Sequence, residues 1–117
     1  MSEPLERSLD RLARVRGVRG AMFVVADDGI VVTQLLMEDV NGKAVAALAA
    51  SLSRKIGGAA RVAGAGAVRF AQLDAAEGTL LVSPAPNDLL VVVLADPQVN
   101  VGLCRLEMTR AAEAALG

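Results

Sequence analysis

Two adjacent carboxylates, Asp27 and Asp28, are the residues of this sequence that come nearest to a chemical site. Paired carboxylates can bind a hard cation, or transfer protons when one of them is desolvated. Both follow the apolar run AMFVVA (21–26) and precede Gly29, an arrangement typical of a tight hairpin turn. A turn is well solvated, so we expect nothing there to raise the pKa of a carboxyl group. The pair is therefore predicted to bend the chain.

The other reactive side chains are few. There is no histidine, which removes the usual general base near neutral pH, the Ser-His and Cys-His pairs and the commonest zinc ligand. Cys104 is the single cysteine and shares an apolar stripe with Met108, so it is predicted to be a core residue and not a nucleophile. The sequence therefore predicts no catalytic, cofactor-binding or metal-binding residue, and a protein that is not an enzyme.

The charges of the chain nearly balance. Its 117 residues include 12 basic and 13 acidic side chains, and the net charge of −1 gives no general attraction to nucleic acid or anionic membrane. Without aromatic neighbours, the early arginines are predicted to form a solvated helix face and not a phosphate-binding patch. They are Arg7, Arg11, Arg14, Arg16 and Arg19. No apolar run is long enough for a membrane span, and one cysteine suits a reducing compartment, so we expect a cytoplasmic protein.

The chain length suits one domain, spanning 1–117, and the hydropathy pattern predicts the element order α-β-β-α-β-β-β-α. This is an α/β (α+β) fold with a five-stranded, mostly antiparallel sheet and helices on both faces. A first helix is predicted to end before Gly17. A last helix is predicted to begin at Asp96-Pro97, with the aspartate as its cap, and to run to Leu116. Strands are predicted at 21–26, 30–36, 67–74, 79–84 and 89–95.

The second predicted helix lies in the alanine-rich sequence NGKAVAALAASLSRKIGGAARVAG, with Asn41 as its N-cap. Gly57 and Gly58 each cost about 1 kcal/mol relative to alanine, so this helix is expected to end or weaken there. Its buried apolar stripe is predicted to consist of Val45, Leu48, Leu52, Ile56 and Ala59 or Ala60.

The opposite face of this helix carries small residues and few charges. Helices that face only water usually carry more charge, and small side chains permit another surface to approach closely. A contact face is therefore predicted, the alternative being that alanine is simply a good helix former in an alanine-rich chain. The face consists of Lys43, Ala47, Ala50 and Arg54, with Ala46 and Ser51 on its flanks.

The span from Val15 to Leu116 resembles the Roadblock domains, the group of dynein light-chain, lysosomal Ragulator and bacterial gliding-motility (MglB-type) proteins. Three segments carry the resemblance: RGVRGAMFVVADDGIVV, VAALAASL and LLVVVLADPQVNVGLCRLEMTRAAEAAL. In the last segment, the residues that match the family's Asn-apolar-Gly-apolar opening of the final helix are Asn100, Gly102, Leu103, Arg105 and Leu106. The resemblance implies a Roadblock/longin-like (profilin-like) sandwich with the element order predicted above.

The resemblance further implies a homodimer, in which the third strands pair across a two-fold axis and the second helices lie side by side. The sequence adds a reason of its own, because the predicted third strand AVRFAQLD has one arginine and no proline to protect a sheet edge. The residues predicted to form the dimer interface are Ala46, Ala50, Ser53, Arg69, Phe70 and Ala71.

A small Ras-like GTPase is the second partner that the resemblance implies. Bacterial relatives act on such a GTPase without supplying a catalytic side chain, and a protein can change a partner's rate by selecting one of its conformations. The residues predicted to bind the partner are Lys43, Ala47, Ser51, Arg54 and Lys55. The alternatives are an adaptor dimer with no effect on nucleotide turnover, and a small-ligand sensor, which the absence of His, Trp and Tyr disfavours.

Overall fold

Three helices and five strands follow one another in the predicted order in the computed structural model, which describes residues 3–116. The helices are α1 (Glu3–Ala13), α2 (Gly42–Val62) and α3 (Val101–Ala114). The strands are β1 (Val18–Val25), β2 (Val31–Leu36), β3 (Ala71–Ala75), β4 (Gly78–Ala85) and β5 (Leu89–Ala95). Within residues 3–116, no helix is long and apolar enough to cross a bilayer.

The five strands form one sheet in the order β2-β1-β5-β4-β3, and every neighbouring pair is antiparallel. The central strands β1 and β5 are buried on both faces, which is why their sequences are almost continuous apolar runs. β2 and β3 form the two edges, so each is paired on one side only among the residues that the structure describes.

Helices cover both faces of the sheet and create two cores. On one face α1 and α3 pack together over the sheet, and the largest buried side chains are Leu9, Leu12, Phe23, Leu81 and Met108. On the other face α2 packs against the side chains of Met22, Val24, Leu80, Val82, Leu90 and Val92. The prediction that Cys104 is a core residue is confirmed, because its side chain lies fully buried in the first cluster.

The start of α3 differs from the sequence-based expectation. The helix begins at Val101, where the side chain of Asn100 accepts a hydrogen bond of 3.0 Å from the N–H of Leu103. The prediction of a start at Asp96 is wrong, because residues 97–98 form a separate turn, in which the N–H of Val99 donates to the carbonyl of Asp96, and the helix begins only after it. Asn100 is the residue at which the Roadblock resemblance placed the opening.

Two other boundaries are also corrected. β3 is Ala71–Ala75, so the first residues of the predicted strand 67–74 precede the sheet. Asn41 is the N-cap of α2, as predicted. The helix continues through Gly57 and Gly58 to Val62, so of the two alternatives predicted there, an end and a weakening, the end is excluded.

Gly29, in the turn between β1 and β2, meets two separate constraints. Its φ is +74°, a conformation that favours glycine, and a Cβ added there would lie 3.0 Å from the Cα of Ala47 on α2. The turn therefore lies against the backbone of α2, and a side chain at residue 29 would force the turn and the helix slightly apart.

Gly29→Ala is expected to destabilise the chain more than Gly64→Ala does. Gly64 has nearly the same φ, +75°, but no described atom lies within 4 Å of its added Cβ. Both variants incur about 1–2 kcal/mol of backbone strain. Gly29→Ala should lose about 1–3 kcal/mol more because it overpacks against α2. Urea unfolding measures the difference, and equal losses would show that contact with α2 does not require this glycine.

Candidate protein-interaction surface

The side of α2 that lies on the sheet is made of small residues. Ala46, Ala49 and Ala50 have 0%, 0% and 1% of their surface exposed. The larger residues of the predicted stripe are only half-buried along one flank of the helix, and Leu48 is 60% exposed. The helix is therefore rotated by roughly 100°, or one residue, from the predicted orientation. Alanine lets the helix backbone approach the sheet closely, which a row of leucines would prevent.

This rotation corrects part of the predicted dimer interface. Ala46 and Ala50 pack on the sheet within their own chain and have no surface to offer a second subunit. Ser53 and Ala71 lie together on the wall of a cleft of about 420 Å³ between α2, β4 and the start of β3. Arg69 is exposed just before β3.

Phe70 is half-buried in the segment that enters β3. The guanidinium of Arg105 on α3 lies over its ring, 4.6 Å from the centroid, and ties this segment to α3. The aromatic side chain thus has a partner within its own chain, and part of its surface stays accessible.

The outward surface of α2 carries the residues predicted to bind a partner. Lys43, Ala47 and Lys55 are exposed, and Ser51 is partly exposed. We call this surface the α2 face, and its exposed or partly exposed members are Lys43, Ala44, Ala47, Leu48, Ser51, Lys55 and Ala59. The sequence has no acidic residue between Asp39 and Asp74, so every charged side chain that α2 itself carries is positive.

Arg54 has a structural contact that sequence reasoning missed. Its Nη1 donates hydrogen bonds to the carbonyl oxygens of Asp27, at 2.8 Å, and Ala26, at 3.3 Å. The side chain is exposed, but these bonds join α2 to the β1–β2 turn. Arg54 is therefore a predicted partner-binding residue that also holds two parts of its own chain together.

The turn that contains Asp27 and Asp28 is a hairpin turn, as predicted. The Oδ1 atom of Asp28 accepts a hydrogen bond of 3.0 Å from the N–H of Ile30, and the N–H of Gly29 donates to the carbonyl of Val25. Among residues 3–116, no group of three His, Cys, Asp or Glu side chains has the arrangement to hold a metal ion.

A third carboxylate, Asp88, lies beside this turn. It belongs to the β4–β5 turn, where its carbonyl accepts a hydrogen bond from the N–H of Ala26. The negative charge of Asp27 is the main cause that raises the pKa of Asp88. The sequence-based expectation covered the carboxylates of the β1–β2 turn and did not extend to Asp88. Only the strand order brings these two turns together, so no local signal marks Asp88.

The surface of β3 and β4 that faces the same way as α2 is incompletely covered. Leu73 pairs with Leu80 and is 45% exposed. Apolar surface therefore remains uncovered at Leu73, on the half-buried flank of α2 and in the cleft at Ser53. These features define an α/β sandwich with a basic, small-residue helix whose C-terminal half shares a cleft with an open sheet edge.

A model of the Roadblock/LC7 domain family matches residues 4–95. The chain belongs to this family. Two proteins of Methanocaldococcus jannaschii, uncharacterized proteins MJ1340 and MJ0310, are 37% and 36% identical to it over 112 residues. Each match covers 93% of this chain and 94% of the relative.

Solved structures share the fold. The Roadblock/LC7 domain from Streptomyces avermitilis superimposes with a TM-score of 0.83 at 23% identity, covering 93% of this chain and 92% of that one. Myxococcus xanthus MglB gives a TM-score of 0.84 at 19% identity, covering 97% of this chain and 92% of that one. The predicted family and fold class are confirmed.

Asp88→Asn is expected to raise the melting temperature at pH 7, because it removes repulsion from Asp27. A raised carboxyl pKa in the folded state means that the wild-type protein gains stability as the pH falls through that pKa. The advantage of Asp88→Asn should therefore vanish in acid, where Asp88 is neutral. Thermal unfolding across pH 2–8 measures this, with Glu77→Gln in the β3–β4 turn as control. An advantage that persisted in acid would contradict the electrostatic explanation.

Proposed function

We propose that this chain is a homodimeric regulator of a small Ras-like GTPase and contributes no catalytic side chain of its own. The observation that carries the proposal is the α2 face, a surface of small, apolar and basic residues on a helix whose Ser53 and Ile56 share a cleft with Ala71 of the edge strand β3. The proposal needs two contacts, one with a second copy of the chain and one with the GTPase.

The β3 edge favours the contact with a second copy. An edge strand usually carries an outward charge or a proline, which discourages pairing with another chain. On β3 the carboxylate of Asp74 instead accepts hydrogen bonds from Gln72 and Thr79 of its own hairpin, at 3.0–3.2 Å. The outer backbone edge of β3 therefore has weak protection, and the exposed side chain of Leu73 would gain from being covered.

The glycines of α2 support close approach of a second helix. Both Gly57 and Gly58 are in helical backbone, and no described atom lies within 4 Å of a Cβ added to either residue. Within this chain alanine would fit and would favour the helix by about 1 kcal/mol per residue. Glycine at these positions suits a backbone that another chain approaches closely.

We therefore assign the dimer interface to Ser53, Arg69, Phe70 and Ala71, as the sequence predicted, and replace the two buried alanines with Leu48 and Leu73. Both leucines are large, apolar and exposed, and burying them in an interface would remove their apolar surface from water.

The charge of α2 favours an acidic surface on the GTPase. Lys43, Lys55 and Arg61 are exposed, and no acidic residue of this segment offsets them. Such a surface speeds the encounter with a negatively charged partner and disfavours a basic one. A regulator of this kind changes the rate of its partner by binding one of its conformations more tightly than the others.

Leu48→Asp is expected to dissociate the dimer, because it places a charge in the proposed interface. Leu106→Asp on α3 is the matched control, since both leucines are exposed, at 60% and 49%, and both lie on helices. The dimer dissociation constant should rise by at least about tenfold for Leu48→Asp, equivalent to 1.4 kcal/mol, and remain unchanged for the control. Sedimentation equilibrium measures both. Equal effects, or a wild-type monomer, would contradict the proposed interface.

The chain is expected to change single-turnover GTP hydrolysis or nucleotide release by a small Ras-like GTPase of the same genome by about tenfold or more. Lys43→Glu with Lys55→Glu should abolish the effect, whereas Arg110→Glu on α3 should preserve it. Tight binding with both rates unchanged would favour the adaptor alternative. Absence of binding to every such GTPase of that genome would contradict the proposed partner while leaving the dimer open to its own test.

A further inference from the structure

The edge formed by β2 is an apolar strand without the usual protection. From Gly29 to Met37 the sequence contains no charged residue and no proline. Its large aliphatic side chains Ile30, Val32, Leu35 and Met37 are 40–61% exposed. Edge strands with such a surface readily pair with another extended segment. This edge lies at the opposite end of the sheet from β3 and takes no part in the proposed dimer.

The backbone of β2 can accept a further strand. The N–H of Met37 donates to the carbonyl of Arg19. Because hydrogen-bonded residues alternate along an antiparallel pair, the backbone N–H and C=O groups of Thr33 and Leu35 also point towards β1. The N–H and C=O groups of Gln34 and Leu36 therefore point away from the sheet. A bulge lies between the Phe23–Thr33 and Val24–Val31 pairs and includes Val32, which limits the regular run to Thr33–Leu36.

Carboxylates lie at both ends of this strand. Asp27 and Asp28 precede it, and Asp88 lies beside them with a pKa raised chiefly by the charge of Asp27. Glu38 and Asp39 follow the strand. Two cations lie nearby and offset part of this charge, since Arg19 forms an ion pair with Asp39 and the guanidinium of Arg54 bonds to the carbonyls of the β1–β2 turn.

The side of β2 next to α1 is also acidic. Glu6 and Asp10 line a shallow cleft together with Leu9, Thr33 and Leu35. The neighbouring cleft at Val32 contains one charge of each sign, Glu3 and Arg7. An extended segment laid along β2 would therefore meet carboxylates at its ends and along one side.

We propose that the outer edge of β2 binds an extended segment of another protein that has an uncharged, β-branched centre and basic residues at both ends. Main-chain hydrogen bonds to Gln34 and Leu36 provide the register, and the exposed aliphatic side chains contact the centre of the segment. The basic ends meet the carboxylates described above.

A second copy of this chain fits the same edge poorly. Antiparallel pairing of two β2 strands would place Asp27 and Asp28 of one copy close to Glu38 and Asp39 of the other, at both ends of the pair. Like charges at these positions disfavour such pairing. The acidic ends therefore select a different partner and keep the apolar edge from joining copies of the chain.

The probe for this site is a synthetic peptide of alternating valine and threonine with two lysines at each end. The matched control has glutamates in place of the lysines. In fluorescence anisotropy at low salt, the lysine peptide should bind at least about tenfold more tightly, and high salt should reduce the difference. By NMR, it should slow hydrogen exchange of the Gln34 and Leu36 amides. Equal affinity of the two peptides, or protection at Ala71–Ala75 instead, would overturn the proposal.

Variants separate the edge from the rest of the surface. Gln34→Pro removes an outward N–H, a change that an edge strand tolerates, and should weaken binding of the lysine peptide by about tenfold or more. Asp27→Lys should also weaken it, whereas Glu77→Lys, the same charge change beside β3, should not. If Asp27→Lys and Glu77→Lys weakened binding of the lysine peptide equally, the proposal would be overturned. Dimerisation, measured by sedimentation, should be unchanged in Gln34→Pro and Asp27→Lys, so failure here is distinct from failure of the proposed function.

Discussion

The close approach of α2 to the sheet is the contact on which the surface of this protein depends. Ala46, Ala49 and Ala50 bring the helix onto β1, β2 and β5, and Gly29 lets the β1–β2 turn touch the helix backbone. Because alanines occupy the inner side, the larger aliphatic residues of the helix are displaced to its flank and outer side. An alanine also buries less apolar area than a leucine, so this core relies on the valines and leucines of the strands. In the proposed dimer, the apolar surface that the helix leaves exposed is a contact surface.

The net charge of −1 conceals a strong separation of charge. The segment between Asp39 and Asp74 has only basic charges, whereas Asp27, Asp28 and Asp88 meet where two hairpin turns lie side by side. Arg54 connects the two regions through the carbonyls of the β1–β2 turn. Such a separation costs some stability through repulsion within each region, and it gives each region a preference for partners of opposite charge. The composition alone, which excluded a general attraction to polyanions, could not reveal it.

Local signals predicted the order of the elements, the Asp-Gly turn and the Asn41 cap, because each depends on residues close in sequence. The orientation of α2 could not be predicted in this way. Leucine and alanine rows both suit a buried stripe, and only the distance between helix and sheet decides which of them fits. The prediction of where α3 starts was wrong for a similar reason. The path of the chain at Asp96 depends on a contact with Gly17, which is far away in sequence. The closeness of Asp27 to Asp88 follows from the order of the strands in the sheet alone.

The two edges of the sheet differ in ways that suit two different partners. On β3 the carboxylate of Asp74 accepts hydrogen bonds from its own hairpin, which weakens its protection of that edge against a second copy. On β2 the strand is uncharged but ends in carboxylates, so a second copy is repelled and a basic segment is attracted. An open antiparallel sheet always has two such edges, and identical edges would let copies add without limit. Unequal edges end that growth after one pairing while leaving the second edge available to another protein.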